Sequence, residues 1–294
     1  MAFKTPEGEA LFIHEYDSNL KLWPISYETL FVSTSYGQTH ILVAGAENLP
    51  PLIMFHGAGM GSSIWYKNIG PLSEHYRVYA IDVMGDMNKS EPVKSISVGA
   101  DTAAWVCEVL DGLGVDKTDV IGHSAGGYTT LNFVIHAQHR VRRVVLLAPA
   151  ASFVSLHRQF FLRLALINLV KNKRFIQRFF CNWFMAKGNR VVDYRFEQFI
   201  YGVFYYKWKT KPVIPSVIPD DQLRSIRVPM LLLIGDQEVI YDPRKAIASA
   251  KKSIAYIETR VIPNSGHCLF IEQADLVNRY MMEFLSRVSP KEAL

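Results

Sequence analysis

The stretch Gly122-His123-Ser124-Ala125-Gly126 sits between the strand-like run DVI (119–121) and the helix-like run GYTTLNFVIHA (127–137). A serine flanked by small residues at a strand-to-helix turn presents its hydroxyl on a cramped corner, the placement a serine nucleophile needs. A glycine-rich turn with an inert serine would read the same. The partners of Ser124 therefore decide between the two.

A serine nucleophile requires a base, and the chain has nine histidines. His136 and His139 close a helix-like run and read as surface residues, since no further ligand type is near the pair. His14, His40, His75 and His157 have no chemical context. His267 follows the strand-like AYIETRVIP (255–263), lies in the polar turn Asn264-Ser265-Gly266, and precedes the last helix. That position brings it to the sheet edge where Ser124 is expected.

The imidazole then needs a carboxylate on a third loop to fix its tautomer and stabilise its charge. The turn GDQEVIYDP (235–243) offers Asp236, Glu238 and Asp242. Asp242 precedes Pro243 and a helix-like run, so helix capping accounts for it. Asp236 and Glu238 both stay open, with Glu238 preferred at the fourth position of the turn. The order Ser124, Glu238, His267 is one that serine hydrolases use.

HGAGMGSSIW (56–65) follows the apolar run LIMF (52–55) and admits two readings. As a dinucleotide fingerprint it would cradle a phosphate, with Asp82 as the ribose-binding acid, but Ser62 occupies the third glycine position. As an oxyanion loop it would supply the Ala58 amide, paired with the Ala125 amide that follows the nucleophile. The second reading uses every neighbouring feature and is preferred. His56 and His123 flank this centre and are read as shaping it, with Trp65 packing beneath the loop.

The elements that must position these residues are legible as apolar runs. TLFVSTSYGQTHILVAG (29–45) alternates around Tyr36-Gly37 and predicts a β-hairpin. Continuous apolar runs at 51–55, 76–82, 119–124, 142–149, 229–235 and 255–263 predict strands covered on both faces, hence a parallel sheet. The runs 97–114 and 271–288 have helical periodicity. The predicted fold is α/β, with a mostly parallel central sheet, an antiparallel N-terminal hairpin, helices on both faces and a helical insertion.

That insertion occupies the gap in the alternation, residues 151–227, between core segments 1–150 and 228–294. From 151 to 212 there are twelve Lys or Arg against Asp193 and Glu197, and sixteen of the chain's 36 aromatic residues. Phe175, Ile176, Phe179, Phe180, Trp183 and Phe184 recur at helical spacing and predict one apolar helix face. The 294 residues, 49% hydrophobic, suit one main domain. The charged N-terminus has no signal-peptide core and no apolar run is long enough to span a bilayer, so a cytoplasmic protein is expected. Cys107, Cys181 and Cys268 are far apart and form neither a metal pattern nor a disulfide set.

On these residues the chain resembles the α/β-hydrolases, and more closely the small bacterial carboxylesterases of the naproxen-esterase type. The resemblance runs through FVSTSYGQTHILVAG, FHGAGMGSSIWYKNIG, YAIDVMGDMNKS, VIGHSAGG, LLLIGDQEVIYDP and NSGHCLFIEQ. It implies a glutamate acid in the G-x-x-E-V-I-Y-D turn, hence Glu238, and a cap made by the 151–227 insertion. The D-x-x-G-x-G-x-S loop of the family reads DVMGDMNKS here, without the second glycine, and the cap is unusually basic.

The expected activity is hydrolysis of small to medium apolar or aromatic carboxylic esters through an acyl-enzyme. The expected machinery is Ser124, Glu238 and His267, an oxyanion hole of Ala58 and Ala125, and a pocket involving Met60, Phe179 and Trp183. No cofactor or metal and no nucleic-acid partner is expected. A thioesterase, lactonase or carbon-carbon bond hydrolase is the nearest alternative. A lid is preferred over a membrane anchor for the basic aromatic insertion. Oligomeric state stays open.

Overall fold

The structure is a computed structural model that describes residues 3–191, 193–194 and 196–287. These residues form a nine-stranded sheet. The hairpin strands β1 (Glu28–Thr34) and β2 (Gly37–Ala44) pair antiparallel, with Thr34 opposite Gly37 across Ser35-Tyr36. Then come β3 (Pro51–Phe55), β4 (Arg77–Ile81), the two-residue β5 (Glu91–Pro92) against β2, β6 (Thr118–His123), β7 (Val141–Leu147), β8 (Met230–Gly235) and β9 (Ile257–Ile262).

The strand order is β1-β2-β4-β3-β6-β7-β8-β9. Pairing is antiparallel from β1 through β4 and parallel from β4 to β9. β6 and β8 are buried along their whole length and β3 after Pro51, because both faces of those strands are covered; β9, at the sheet edge, is instead mostly exposed or half-buried, so the 255–263 run is not covered on both faces as expected.

Parallel direction has a direct consequence for chemistry. The ends of β3, β6, β8 and β9 emerge at one edge, so the loops beginning at His56, Ser124, Asp236 and Pro263 share it. Register brings them level: Phe55 pairs with Gly122, and Gly235 with Ile262.

Between β7 and β8 lie the helices Arg158–Leu169, Lys173–Phe179, Glu197–Tyr205 and Asp220–Arg224. The single apolar helix expected over 175–184 is interrupted. It ends at Phe179, and Cys181–Phe184 tightens into a 3-10 turn. The tight turn brings the Phe184 carbonyl to the His267 amide, 2.7 Å away. Ile176, Phe180 and Phe184 are buried, four residues apart, while Phe175, Phe179 and Trp183 are only half-buried.

The N-terminal helix Pro6–Leu20 was not foreseen, and it bridges the sheet and the insertion. Thr5 caps it by accepting the Gly8 amide at 3.1 Å, and Pro6 fits its first turn. Gly8 lets the Tyr205 ring lie directly on the helix, where any Cβ would collide. On the sheet side, the Tyr16 hydroxyl donates to Asp82 at 3.1 Å. The last helical region is likewise split, into Leu269–Glu272 and Ala274–Leu285. No helix among the described residues is long and apolar enough to cross a membrane.

Candidate active site

Ser124 sits at φ 52° and ψ −118°, a strained corner between β6 and the helix Ala125–Ala137. Close packing of its flanking glycines makes the corner possible. A Cβ on Gly122 would strike Thr130 and the Gly126 carbonyl, and one on Gly126 would strike the carbonyls of Phe55 and His56. The corner is fixed by the Ser124 amide on the Leu147 carbonyl (3.0 Å) and the Ala150 amide on the Ser124 carbonyl (3.0 Å).

The Ser124 hydroxyl lies 2.8 Å from Nε2 of His267, and Nδ1 of His267 lies 2.8 Å from Oε2 of Glu238. With the Nδ1 proton donated to the carboxylate, Nε2 is left to accept the serine proton. The second oxygen of Glu238 accepts the amides of Val239 (2.8 Å) and Ile240 (2.9 Å), which fixes the carboxylate plane. Asp236 is exposed and accepts the Ser265 amide at 3.2 Å, so it braces the histidine loop without touching the ring. Asp242 caps the helix Pro243–Ser253, accepting the amides of Arg244 and Lys245.

The loop after β3 reaches Ser124 because Gly57 has no side chain: a Cβ there would lie 2.7 Å from His123 Nδ1 and 3.2 Å from the Ser124 Cβ. The amides of Ala58 and Ala125 make no hydrogen bond to another described residue, so both are available to a ligand. The rest of the loop is pinned. The Gly59 amide donates to Asp86 (2.8 Å) and the Ser62 amide to Asp82 (2.8 Å). The Met60 carbonyl accepts from Tyr194 (3.3 Å) and Gln198 (3.1 Å) of the insertion.

Asp82 is wholly buried, and its oxygens are taken by Tyr16, Ser62, His40 and Lys89. Burial alone would raise this carboxyl, but the attraction and hydrogen bond of His40 hold it well below the usual carboxylate range. A carboxylate so occupied cannot take a ribose, so the dinucleotide reading fails on geometry.

His56 donates from Nδ1 to the Gly57 carbonyl (2.8 Å) and accepts the Val83 amide at Nε2 (3.0 Å), which ties the loop to the end of β4. His123 donates from Nε2 to the His267 carbonyl (3.0 Å), while its Nδ1 is buried with no partner among the described residues. Burial, and then the neighbouring His267, push the His123 imidazole well below the ordinary histidine range. Trp65 is buried beyond the loop, its ring 4.9 Å from that of Phe270.

A small cleft, open to solvent, starts at Ala58 and Ala125 and is walled by Met84, Ile96, Trp105, Tyr128, Trp208 and Val213. The three residues expected to line the pocket lie outside this cleft. Phe179 and Trp183 do not line it: the Arg163 guanidinium lies over both rings, 4.3 and 4.6 Å from their centroids. Met60, which is buried, does not line it either. From the insertion, the wall comes instead from the segment Trp208 to Pro215.

Three neighbours of the site escaped the sequence reading. The Phe184 ring lies tilted against the His267 ring, their centroids 5.3 Å apart. Glu272 accepts the Gly266 amide (2.8 Å) and the Ala186 amide (2.7 Å), clamping the histidine loop to the insertion. Asp86 lines the cleft one residue before Met87, which stands where the family pattern has its second glycine, and burial pushes its carboxyl up. None of the three stands at a position that a sequence pattern marks; the missing glycine of DVMGDMNKS falls on Met87.

Comparison with known proteins gives a consistent result. A family model described as the alpha/beta hydrolase fold matches residues 50–184. An uncharacterized carboxylesterase, Nap, of Bacillus subtilis is 38% identical over 94% of this chain and 92% of its own length. Carboxylesterase YbfK of the same organism is 33% identical over 97% of both. The crystal structure of naproxen esterase (carboxylesterase NP) from B. subtilis superposes with a TM-score of 0.89 at 37% identity, covering 96% of this chain and all of that one.

Proposed function

This chain belongs to the α/β-hydrolase carboxylesterases, and from that premise we propose that Ser124, His267 and Glu238 hydrolyse carboxylic esters through an acyl-enzyme. The observation that carries the reading is the unbroken relay from the Ser124 hydroxyl through His267 to Glu238, 2.8 Å at each step, beside two unengaged amides.

In this mechanism His267 Nε2 takes the Ser124 proton as the oxygen attacks the ester carbonyl. The carbonyl oxygen becomes an oxyanion and receives the Ala58 and Ala125 amides, which are already aimed and need no reorganisation. Glu238 holds the imidazolium that forms. His267 then returns the proton to the alkoxide, the alcohol leaves, and a water activated by the same histidine releases the acid from Ser124.

The substrate class follows from the cleft. Trp105, Tyr128, Trp208 and Val213 offer apolar and aromatic walls, which favour aromatic or medium-length apolar groups. Residues 151–227 act as the cap, contributing Trp208 and Val213 to the wall.

The test is a panel of p-nitrophenyl esters of graded acyl length, run beside thioesters and lactones. The account expects esters to be preferred, with activity rising from acetate to medium or aromatic acyl groups. Preference for thioesters or lactones, with esters turned over far more slowly, would overturn it.

A further inference from the structure

We propose that the outward face of the helix Arg158–Leu169, with the cations that follow it, docks on an anionic lipid surface. This inference is independent of the ester chemistry. Its test reads binding.

The helix has the sequence RQFFLRLALINL and fully buries only Ile167. Phe160 and Arg163 turn toward the neighbouring helix, where Arg163 covers Phe179 and Trp183. Phe161, Leu162 and Leu169 are 50%, 65% and 79% exposed, and Leu164 and Leu166 lie exposed at the margins. Positions 161, 165 and 169 stack one turn apart, so the outward stripe is apolar along the whole helix. An ordinary surface helix has the reverse order, apolar inward and polar outward. The sequence expectation that an apolar helix face covers the pocket does not apply to this helix, whose stripe faces away from the protein.

The chain leaves this helix into Lys171, Lys173, Arg174 and Arg178, all exposed. Of these, only Lys173 has a carboxylate partner among the described residues, Glu197 at 3.2 Å. The stripe therefore ends in a cluster of cations with little local neutralisation.

Charge selects the occupant. A second copy seated on the same face would bring two such clusters together, each within a 62-residue stretch holding twelve cations and two carboxylates. An uncharged apolar partner would leave the cations unused. An anionic bilayer uses both features: leucine and phenylalanine enter the headgroup boundary, and the cations meet the lipid phosphates.

The test is co-sedimentation of the full chain with vesicles of phosphatidylcholine alone or mixed with phosphatidylglycerol. Expected is binding to the anionic vesicles at about 50 mM salt, little binding to the neutral ones, and release at about 500 mM. Lys171→Gln with Arg174→Gln weakens binding about fivefold per charge, and Leu162→Asn with Leu169→Asn weakens it about tenfold or more. Both variants keep wild-type hydrolysis of a soluble acetate ester, which shows that they fold. Absence of vesicle binding at low salt overturns the proposal, as does binding that neither variant changes. A dimer seen by light scattering that the leucine substitutions dissociate also overturns it, and assigns the face to a second copy.

Discussion

Glu238 accepts the Nδ1–H hydrogen bond of His267 at 2.8 Å, with its other oxygen held by two backbone amides. Among the described residues, the Asp236 carboxylate, two residues earlier, accepts only the Ser265 amide. Glu238→Gln leaves the shape and removes the charge, so kcat for ester hydrolysis should fall about a thousandfold or more. Asp236→Asn should change it by less than about tenfold, since an amide oxygen still accepts the Ser265 hydrogen bond. Steady-state rates of the two variants check the assignment, and the opposite ranking moves the acid to Asp236.

The loop after β3, proposed to hold the oxyanion, rests against Ser124 through the bare Cα of Gly57. Gly57→Ala should push the loop away and cost about a hundredfold in kcat, the scale of losing one oxyanion donor. Binding of a substrate-like ketone, read as an inhibition constant, should suffer much less than binding of a boronic acid that mimics the tetrahedral state. Equal losses for both would place the effect in general binding.

His123 gives the fold an acid sensitivity. Burial keeps its imidazole neutral in the folded chain, while in the unfolded chain it protonates near ~6.5. Below that pH the unfolded state binds a proton that the folded state does not. Stability contributed here is thus present above ~6.5 and is lost as pH falls, by up to about 1.4 kcal/mol per pH unit. Urea unfolding from pH 7.5 to 5.0 should show this slope, and His123→Gln should flatten it. A slope unchanged in the variant would assign it to other groups.

Trp208 walls the cleft, whereas Phe179 and Trp183 lie under Arg163. Trp208→Ala should lower kcat/KM for aromatic or medium-chain esters about tenfold while sparing acetate, and Phe179→Ala should leave the acyl-chain preference intact. A substrate series on both variants measures this directly. Altered selectivity in Phe179→Ala alone would return the pocket to its originally expected wall.

The parts of this protein that were legible in sequence are those whose physics is local. Strands covered on both faces read as apolar runs, and Ser124 and Glu238 follow two of them, while His267 follows the edge strand β9; all three lie at polar or glycine-rich turns. What escaped depends on folding back over long separations. Phe184 and Glu272 meet the histidine loop only because the insertion returns to it, and the Ala186 amide lies 86 residues from Glu272. In a segment this rich in aromatics, helical spacing cannot tell Phe184, which touches the site, from Trp183, which does not. The N-terminal helix was hidden for a related reason: its buried face includes Glu15 and Asn19 beside Phe12 and Tyr16, so its apolar periodicity is broken.

The central claim is that Ser124 is the nucleophile, and covalent labelling tests it most directly. Incubation with a fluorophosphonate, followed by intact-mass and peptide-mapping mass spectrometry, should give one adduct per chain, located on Ser124, with ester hydrolysis lost in proportion to labelling. Ser124→Ala should fold as the wild type, take no label and hydrolyse no ester above background. A label on another residue, or wild-type turnover by Ser124→Ala, would contradict the account.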